Sequence, residues 1–126
     1  MLPKLELTRM AQAMAAQAGA RMGVIAQNVA NADTPGYKAR DLPDFANTYR
    51  ESEPLRATRP GHFGASERPI PPEARIVAAT GAPNGNTVSL EGEMVKAAEV
   101  RQTHEMALAI YRSTSDLVRT ALGAGR

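Results

Sequence analysis

The stretch that decides the fold is NVANADTPGYK, residues 28–38. Pro35 disfavours helical backbone at Thr34, so a helix that reaches this stretch has to end just before it. Pro35 and Gly36 suit the two central positions of a type II turn, in which the second residue takes a positive φ. The stretch therefore predicts a sharp, fixed helix exit, followed by an extended segment that starts at Tyr37.

The residues before this exit form one apolar stripe at helical spacing, which predicts a helix over residues 5–31. Next to the stripe lies a row of small residues that are four apart. Each Gly inside a helix costs about 1 kcal/mol relative to Ala, so this row favours the close approach of another backbone. The alternative is a weakness that an exposed helix tolerates. The stripe consists of Leu7, Met10, Met14, Ala18, Met22, Ile25, Val29 and Ala32, and the small row of Ala11, Ala15, Gly19 and Gly23.

A second helix is predicted over residues 89–122. Ser89 suits its N-cap, and Glu91 and Glu93 follow in the first turn, where the helix dipole favours acids. Its seam has a period of 3.5 residues, which is the coiled-coil repeat. The polar members of the seam indicate a surface that faces several neighbours. The seam is Leu90, Met94, Ala97, Arg101, His104, Leu108, Tyr111, Ser115, Val118 and Leu122.

Proline separates the two helices, because one of the nine prolines is Pro3 and the other eight lie between residues 35 and 83. The chain thus divides into a helix at 1–34, an irregular Pro- and Gly-rich middle at 35–87, and a helix at 88–126. Residues 75–79 predict one short strand and residues 83–86 a turn, which leaves room for a small hairpin. The fold class is mainly α.

Composition limits what this chain can bury by itself. Of its 126 residues 43% are hydrophobic, but Ala accounts for 23 of them, and Leu, Ile, Val and Phe together for only 22. We therefore expect the chain to complete its burial against neighbours. It has no cysteine and two histidines, and no stretch that is long and apolar enough for a transmembrane helix. Residues 10–17 are too polar for the apolar core of a cleaved signal peptide.

Residues 28–37 resemble the N-terminal signature of the bacterial flagellar axial proteins, which comprise rod, hook and hook-associated proteins. That signature reads N-hydrophobic-A-N-x-x-T-P-G-Y/F and follows an amphipathic helix directly. The continuation YKARDLPDF at residues 37–45 is similar to the variant found in proximal rod proteins, and GNTVSLEGEM at residues 85–94 agrees with it. Two closely related proximal rod proteins share this pattern, and only the flanking residues distinguish them.

The resemblance implies that the two terminal helices pair as an antiparallel coiled coil and that many subunits pack these coils into a tube. It implies a structural subunit of the periplasmic rod, a drive shaft that carries torque from the membrane ring to the distal rod and hook. The partners would be copies of the chain, other rod proteins, the rod-to-ring adaptor, the membrane ring and the flagellar type III export apparatus. Export would need no cleaved signal peptide.

The resemblance also assigns roles to residues. The turn motif that would contact neighbouring subunits is Asn28, Asn31, Thr34, Pro35, Gly36 and Tyr37. The coiled-coil seam would be Leu7, Met10, Met14, Met22, Ile25, Val29, Met94, Leu108, Tyr111, Val118 and Leu122. No catalytic residue, cofactor site or metal site is expected.

Two other classes of function have little support in the sequence. A net charge of +2 gives weak support to a basic helical protein that binds nucleic acid, since the arginines are scattered and not clustered. An enzyme would need a base with a partner at a sensible spacing. His104 and Glu105 point in different directions on a helix, His62 has no nearby nucleophile, and Asp41 and Asp44 have no predicted pocket.

Overall fold

The computed structural model describes residues 2–51 and 73–123, and it is dominated by two long helices that pack against each other. Helix α1 spans Leu2–Ala30 and helix α3 spans Leu90–Gly123. At 1.5 Å per residue they are about 44 and 51 Å long. Between them lie strand β1 (Arg40–Asp41), helix α2 (Phe45–Glu51) and strand β2 (Arg75–Ile76). The predicted fold class, with long terminal helices packed on each other, is confirmed.

The end of α1 and the start of α3 lie where the capping residue and the proline of the sequence predict them. Ser89 caps α3, because its Oγ accepts a hydrogen bond from the Gly92 amide at 3.3 Å and its carbonyl accepts one from the Glu93 amide at 2.9 Å. Helix α1 ends at Ala30, five residues before Pro35. Both helix boundaries lie within three residues of their predicted positions.

The two helices run antiparallel and meet along small residues spaced by seven. Asn28, near the end of α1, bonds to Glu93 in the first turn of α3. On α1 the buried line is Ala11, Ala18 and Ile25, and on α3 it is Glu93, Val100, Ala107 and Thr114. A spacing of seven is the repeat of paired helices, and small side chains let the two backbones lie close together.

The middle of the chain contains more regular structure than the irregular segment that was predicted. Helix α2 begins after Asp44, whose carbonyl accepts the Thr48 amide at 3.1 Å, and the rings of Phe45 and Tyr49 pack 5.4 Å apart. Its seven residues are too short and too polar to give a periodic signal in the sequence.

Of the strand predicted at 75–79, only Arg75–Ile76 form a strand, β2, and it does not form a hairpin with the turn that follows. It pairs antiparallel with β1, with Arg40 opposite Ile76 and Asp41 opposite Arg75. The predicted turn at 83–86 is present, and it is closed by the Gly85 amide donating to the Ala82 carbonyl at 2.8 Å. The turn therefore leads from β2 to α3, and the partner of β2 comes from the segment that leaves α1.

Candidate assembly site at the helix exit

The exit turn, residues 34–37, has the predicted type II geometry. Gly36 takes φ = 74°, and the Tyr37 amide donates to the Thr34 carbonyl at 3.3 Å. The helix end before it is closed by Asn31, whose Nδ2 donates to the Gln27 carbonyl at 2.8 Å. Asn31 Oδ1 in turn accepts the Thr34 hydroxyl at 3.2 Å. The predicted conformation of the turn is confirmed.

Asn28 fastens the exit from inside. Its side chain is 0% exposed. Nδ2 donates to the Arg40 carbonyl at 2.7 Å and to Glu93 Oε2 at 3.1 Å. Oδ1 accepts the Arg40 amide at 3.1 Å and the Tyr37 hydroxyl at 3.3 Å. One amide therefore joins α1, the segment that leaves the exit turn, and α3.

The loop at residues 82–88 holds the outer side of the exit turn. The Gly36 amide donates to the Asn84 carbonyl at 3.0 Å, and the Thr87 amide donates to the Tyr37 carbonyl at 3.0 Å. Asn86, only 3% exposed, donates from Nδ2 to the carbonyls of residues 31, 32 and 34. A residue from the C-terminal half thus adds a donor to three carbonyls that directly follow α1, two of which also accept the amides of Thr34 and Tyr37.

The strap, residues 37–43, runs back along α1. Gln17 Nε2 donates to the Pro43 carbonyl at 2.7 Å, and Arg21 forms a bidentate pair with Asp41 at 2.8 and 2.9 Å. Together with the bonds of Asn28 to Arg40, these contacts place the strap antiparallel to the helix. The positions 17, 21 and 28 lie on one side of α1, beside the line that packs on α3.

Lys96 on α3 lies close to Asp41 of the strap and to Glu93. Its Nζ lies 3.6 Å from Asp41 Oδ2 and 3.2 Å from Glu93 Oε1. Burial by itself raises the pKa of Asp41. The hydrogen bonds and charge of Arg21, the Leu42 amide and the charge of Lys96 outweigh burial, so the pKa of Asp41 lies below its ordinary value. The hydrogen bond to Asp41 is the main cause that raises the pKa of Arg21.

The six predicted motif residues divide into an inner and an outer set. Asn28 is buried, and Asn31 and Tyr37 are half-buried. Thr34, Pro35 and Gly36 are exposed. The structure therefore brings the six together in one place and presents three of them at the surface. Their contact with neighbouring subunits stays a prediction.

On α3 the predicted seam does not coincide with the line along which the helices pair within the chain, whereas on α1 the predicted stripe includes Ala18 and Ile25 of that line. On α3 each buried residue lies one position before a residue of the predicted seam. Two residues of that seam, Met94 and Leu122, are 72% and 68% exposed. The pairing line carries small or hydrogen-bonded side chains, which allow a closer approach than Met94 and Leu122 would. Of the predicted seam, Ile25 is buried; Met10, Met14, Met22, Leu108 and Val118 are half-buried; and Leu7, Val29, Met94, Tyr111 and Leu122 are exposed.

Several polar residues of this site were not singled out as members of it from the sequence, among them Asn86, Glu93, Asp41 and Arg21. For Glu93 a signal existed, because it is the first member of the seven-residue line that continues through α3. The Arg21–Asp41 pair and the bonds of Asn86 join positions 20 and more than 50 residues apart, and no local pattern shows them.

Three of the residues considered for catalysis, Asp41, Asp44 and Glu105, take part in structural contacts. Asp41 is occupied by Arg21, and the Asp44 carbonyl serves the first turn of α2. Glu105 pairs with Arg101 at 3.2 Å on the exposed side of α3. His62 lies outside the described residues. Within residues 2–51 and 73–123, no three acidic or histidine side chains converge as a metal would require.

The arginines considered for nucleic-acid binding are partly neutralised. Arg21 pairs with Asp41, Arg101 with Glu105, and Arg119 lies 3.9 Å from Asp116. As for membranes, neither long helix nor the short one in the described part of the chain combines the length and apolar character that a membrane span needs.

Comparison with known proteins points to one family. The profile described as "Flagella basal body rod protein" matches residues 10–38, which include the exit turn and the start of the strap. The flagellar basal body rod protein FlgB of Cereibacter sphaeroides is 34% identical over 109 residues, with 81% of this chain and 82% of the relative covered.

Two further FlgB proteins agree with this match. The one from Salmonella typhimurium is 30% identical over 105 residues, covering 74% of this chain and 75% of the relative. The one from Agrobacterium fabrum is 26% identical over 121 residues, covering 86% of this chain and 87% of the relative. The chain therefore belongs to the FlgB family of flagellar basal body rod proteins, a family of structural rod components and not of enzymes.

Proposed function

We propose that this chain is a structural subunit of the proximal rod, and that it carries torque as part of the periplasmic drive shaft between the membrane ring and the distal rod. Family membership supports the rod role. The observation that carries the mechanical role is the amount of apolar surface that one copy leaves uncovered. Twelve large hydrophobic side chains are exposed among the described residues, whereas seven hydrophobic residues are buried, four of them Ala.

The uncovered surface lies mostly on the two long helices. On α3 it includes Leu90, Met94 and Leu122 on the side of the predicted seam, and Met106 and Leu117 on the opposite side of the pairing line. An exposed helix of a monomeric protein normally carries charged residues on its outer face. Apolar flanks on both sides of the pairing line favour a subunit with neighbours on two sides.

The outer face of α1 favours close contact with another helix. Over residues 13–26 its exposed positions are Ala or Gly only. A β-carbon added at Gly19 or Gly23 would meet no atom of the described residues within 4 Å, so this part of the chain does not use the space that the glycines leave. In a tube of paired helices, this smooth face receives the larger side chains of a neighbouring subunit.

The exit turn gives such a subunit a rigid contact at one end of the helix pair. Its outer residues Thr34, Pro35 and Gly36 are exposed, while the inner ones are fixed by buried hydrogen bonds. Contacts that repeat without closing a ring generate a helical stack. The neighbours are copies of this chain and the other rod proteins, with the rod-to-ring adaptor and the membrane ring at the base. The flagellar type III apparatus exports the chain without a cleaved signal peptide.

The experiment is to remove the chain from its bacterium and to image what remains. We expect the strain to lose swimming and its basal bodies to lack a rod. A chain carrying a small tag at its C-terminus should restore the rod and label its base, next to the membrane ring, in purified basal bodies. Normal rods without the chain, or a label in the hook, would contradict the proposal.

A further inference from the structure

Asn86 contacts the end of α1 from the other half of the chain. Its Nδ2 lies 2.9 Å from the Asn31 carbonyl, 2.8 Å from the Ala32 carbonyl and 2.9 Å from the Thr34 carbonyl. Two protons are shared among these three acceptors, so the three carbonyls have to converge on one point. The first two belong to the two residues that follow the last residue of α1, and the third belongs to the exit turn.

Asn86 is itself held rigidly. Its Oδ1 accepts the Val88 amide at 2.8 Å, its amide donates to Asn84 Oδ1 at 3.1 Å, and its carbonyl accepts the Ala82 amide at 2.8 Å. Every polar group of the residue is therefore used. With 3% exposure, it acts as a fixed donor and not as a surface side chain that happens to reach the helix.

The loop around Asn86 also lies against the exit turn. The Gly36 amide donates to the Asn84 carbonyl, and a β-carbon on Gly85 would lie 3.4 Å from the Gly36 Cα. Gly36 and Gly85 both take positive φ, of 74° and 82°. The two turns are thus packed backbone to backbone, with the exposed side of Thr34 and Pro35 facing outward.

We propose that Asn86 is the positioning residue of the exit turn: it sets the angle at which Thr34, Pro35 and Gly36 are presented to neighbouring subunits. The contact surface is then built from both halves of the chain and is complete only when residues 84–88 have docked. This inference rests on the proposed function, since the orientation matters for assembly.

Only asparagine meets the chemistry of this position. Aspartate has nearly the same shape, but its carboxylate oxygen would replace the donor nitrogen and would be repelled by the three carbonyl oxygens. Alanine has no hydrogen-bond donor in its side chain. Glutamine places its nitrogen one carbon further out, where the three carbonyls already lie within hydrogen-bond distance. Asn86→Asp is therefore the sharpest variant, because it reverses the hydrogen bonding and keeps the volume.

Ser89→Ala is the matched control. It removes one capping bond, from the Gly92 amide to Ser89 Oγ, three residues further along the chain, and it touches no group of the exit turn. The full-length chain, labelled with ¹⁵N, is compared by NMR in the three forms. Each form is also returned to the strain that lacks the chain, and the swimming halo and rod content are measured.

We expect Asn86→Asp to speed hydrogen exchange of the Gly36 amide by about tenfold or more, as a locally opened turn does. Its helix content should change little, and the strain should swim no better than the one without the chain. Ser89→Ala should leave the Gly36 amide and the swimming halo within about twofold of the wild type. A loss of function from general destabilisation would instead affect both variants in proportion to their melting temperatures.

Three results would overturn the proposal. The first is Asn86→Asp with a changed Gly36 signal and normal rods, which would leave the proposed function standing and remove the positioning role. The second is an unchanged Gly36 signal. The third needs no variant: side-chain amide protons of Asn86 that exchange freely in the wild type and show no proximity to residues 31–34. If the strain without the chain swims normally, the proposed function fails, and the NMR comparison still tests the turn.

Discussion

At the residue scale, two asparagines hold the helix exit from opposite sides. Asn28 lies on the helix and bonds to the strap and to α3, whereas Asn86 lies on the distant loop and bonds to the helix end. A neutral amide suits both places because it donates and accepts at once, and buried polar groups are tolerated only when all of them are paired. Among the described side chains, no buried nitrogen or oxygen lacks a partner.

Gly36 gives the residue-scale prediction. It has φ = 74° and open space around its missing side chain, so a substitution is resisted by the backbone and not by a clash. We expect Gly36→Val to abolish rod assembly while the helix content of the isolated chain, measured by circular dichroism, stays nearly unchanged. Gly36→Asn, which tolerates this conformation, should keep most of the swimming. Normal motility of Gly36→Val would refute the role of the turn.

At the element scale, the strap is fixed to α1 by charge as well as by the backbone. The Arg21–Asp41 pair is bidentate, and Lys96 adds a second cation from α3. Because the pKa of Asp41 in the folded chain lies below its unfolded value, the stabilisation is present above about pH 4 and is lost as the pH falls through the lower folded value.

The corresponding prediction concerns the response of the strap to low pH. We expect the Leu42 amide, which donates to Asp41 Oδ1 at 2.8 Å, to shift its NMR signal as the pH falls below about 4. Asp41→Asn should abolish that shift and loosen the strap at neutral pH. The comparison with the variant isolates the contribution of Asp41. An equal titration in both proteins would show that Asp41 does not hold the strap.

The outer face of α1 yields a second prediction at this scale. Gly19→Ala and Gly23→Ala should each stabilise the isolated chain, by about 0.5–1 kcal/mol, because helical glycine is unfavourable and nothing lies near the added carbon. Gly19→Leu and Gly23→Leu should leave the isolated chain folded, as thermal melting would show, but should block rod assembly. If the Leu variants assemble normally, this face does not contact a neighbour closely.

The elements differ in how well the sequence predicts them. The exit turn was predictable, since Pro35 and Gly36 dictate it locally. The face of α3 was not, because two lines with the same repeat lie side by side on that helix. Apolar character favours the one through Met94 and Leu108, whereas close packing favours the one through Val100 and Ala107. The contacts of Asn86 and Asp41 form between segments that are far apart in the sequence. Composition and local spacing therefore do not predict them.

At the scale of the whole molecule, a single copy is held together by a thin core. Ala18, Ile25 and Val100 form its buried centre, with Met22 and Ala97 packed against them. The exposed Leu5 and Leu117 lie toward the outer ends of the two helices. The polar site at the helix exit therefore adds a second connection between the two helices, through the bond of Asn28 to Glu93.

We expect the isolated chain in dilute solution to unfold with weak cooperativity. Amide exchange should be slowest around Ile25 and Val100 and fast near Leu5 and Leu117, and assembly into the rod should protect the outer ends as well. Hydrogen exchange with mass spectrometry on the free chain and on purified basal bodies measures both. Strong protection along the whole of both helices in the free chain would contradict a subunit that needs its neighbours.

The bond between Asn28 and Glu93 has a further consequence. The pairing line repeats small residues every seven positions, at Ala11 and Ala18 on one helix and at Val100 and Ala107 on the other. Such a line would let one helix slide by two turns with little loss of packing. A slide of that size would separate Glu93 from Asn28 and Lys96 from Asp41, so it would break the buried hydrogen bond and the ion pair that join the helix exit to α3. The Asn28–Glu93 pair thus selects one alignment of two helices whose packing surfaces repeat every seven residues. Because the alignment is fixed, the helix pair has the same length in every subunit of a stack.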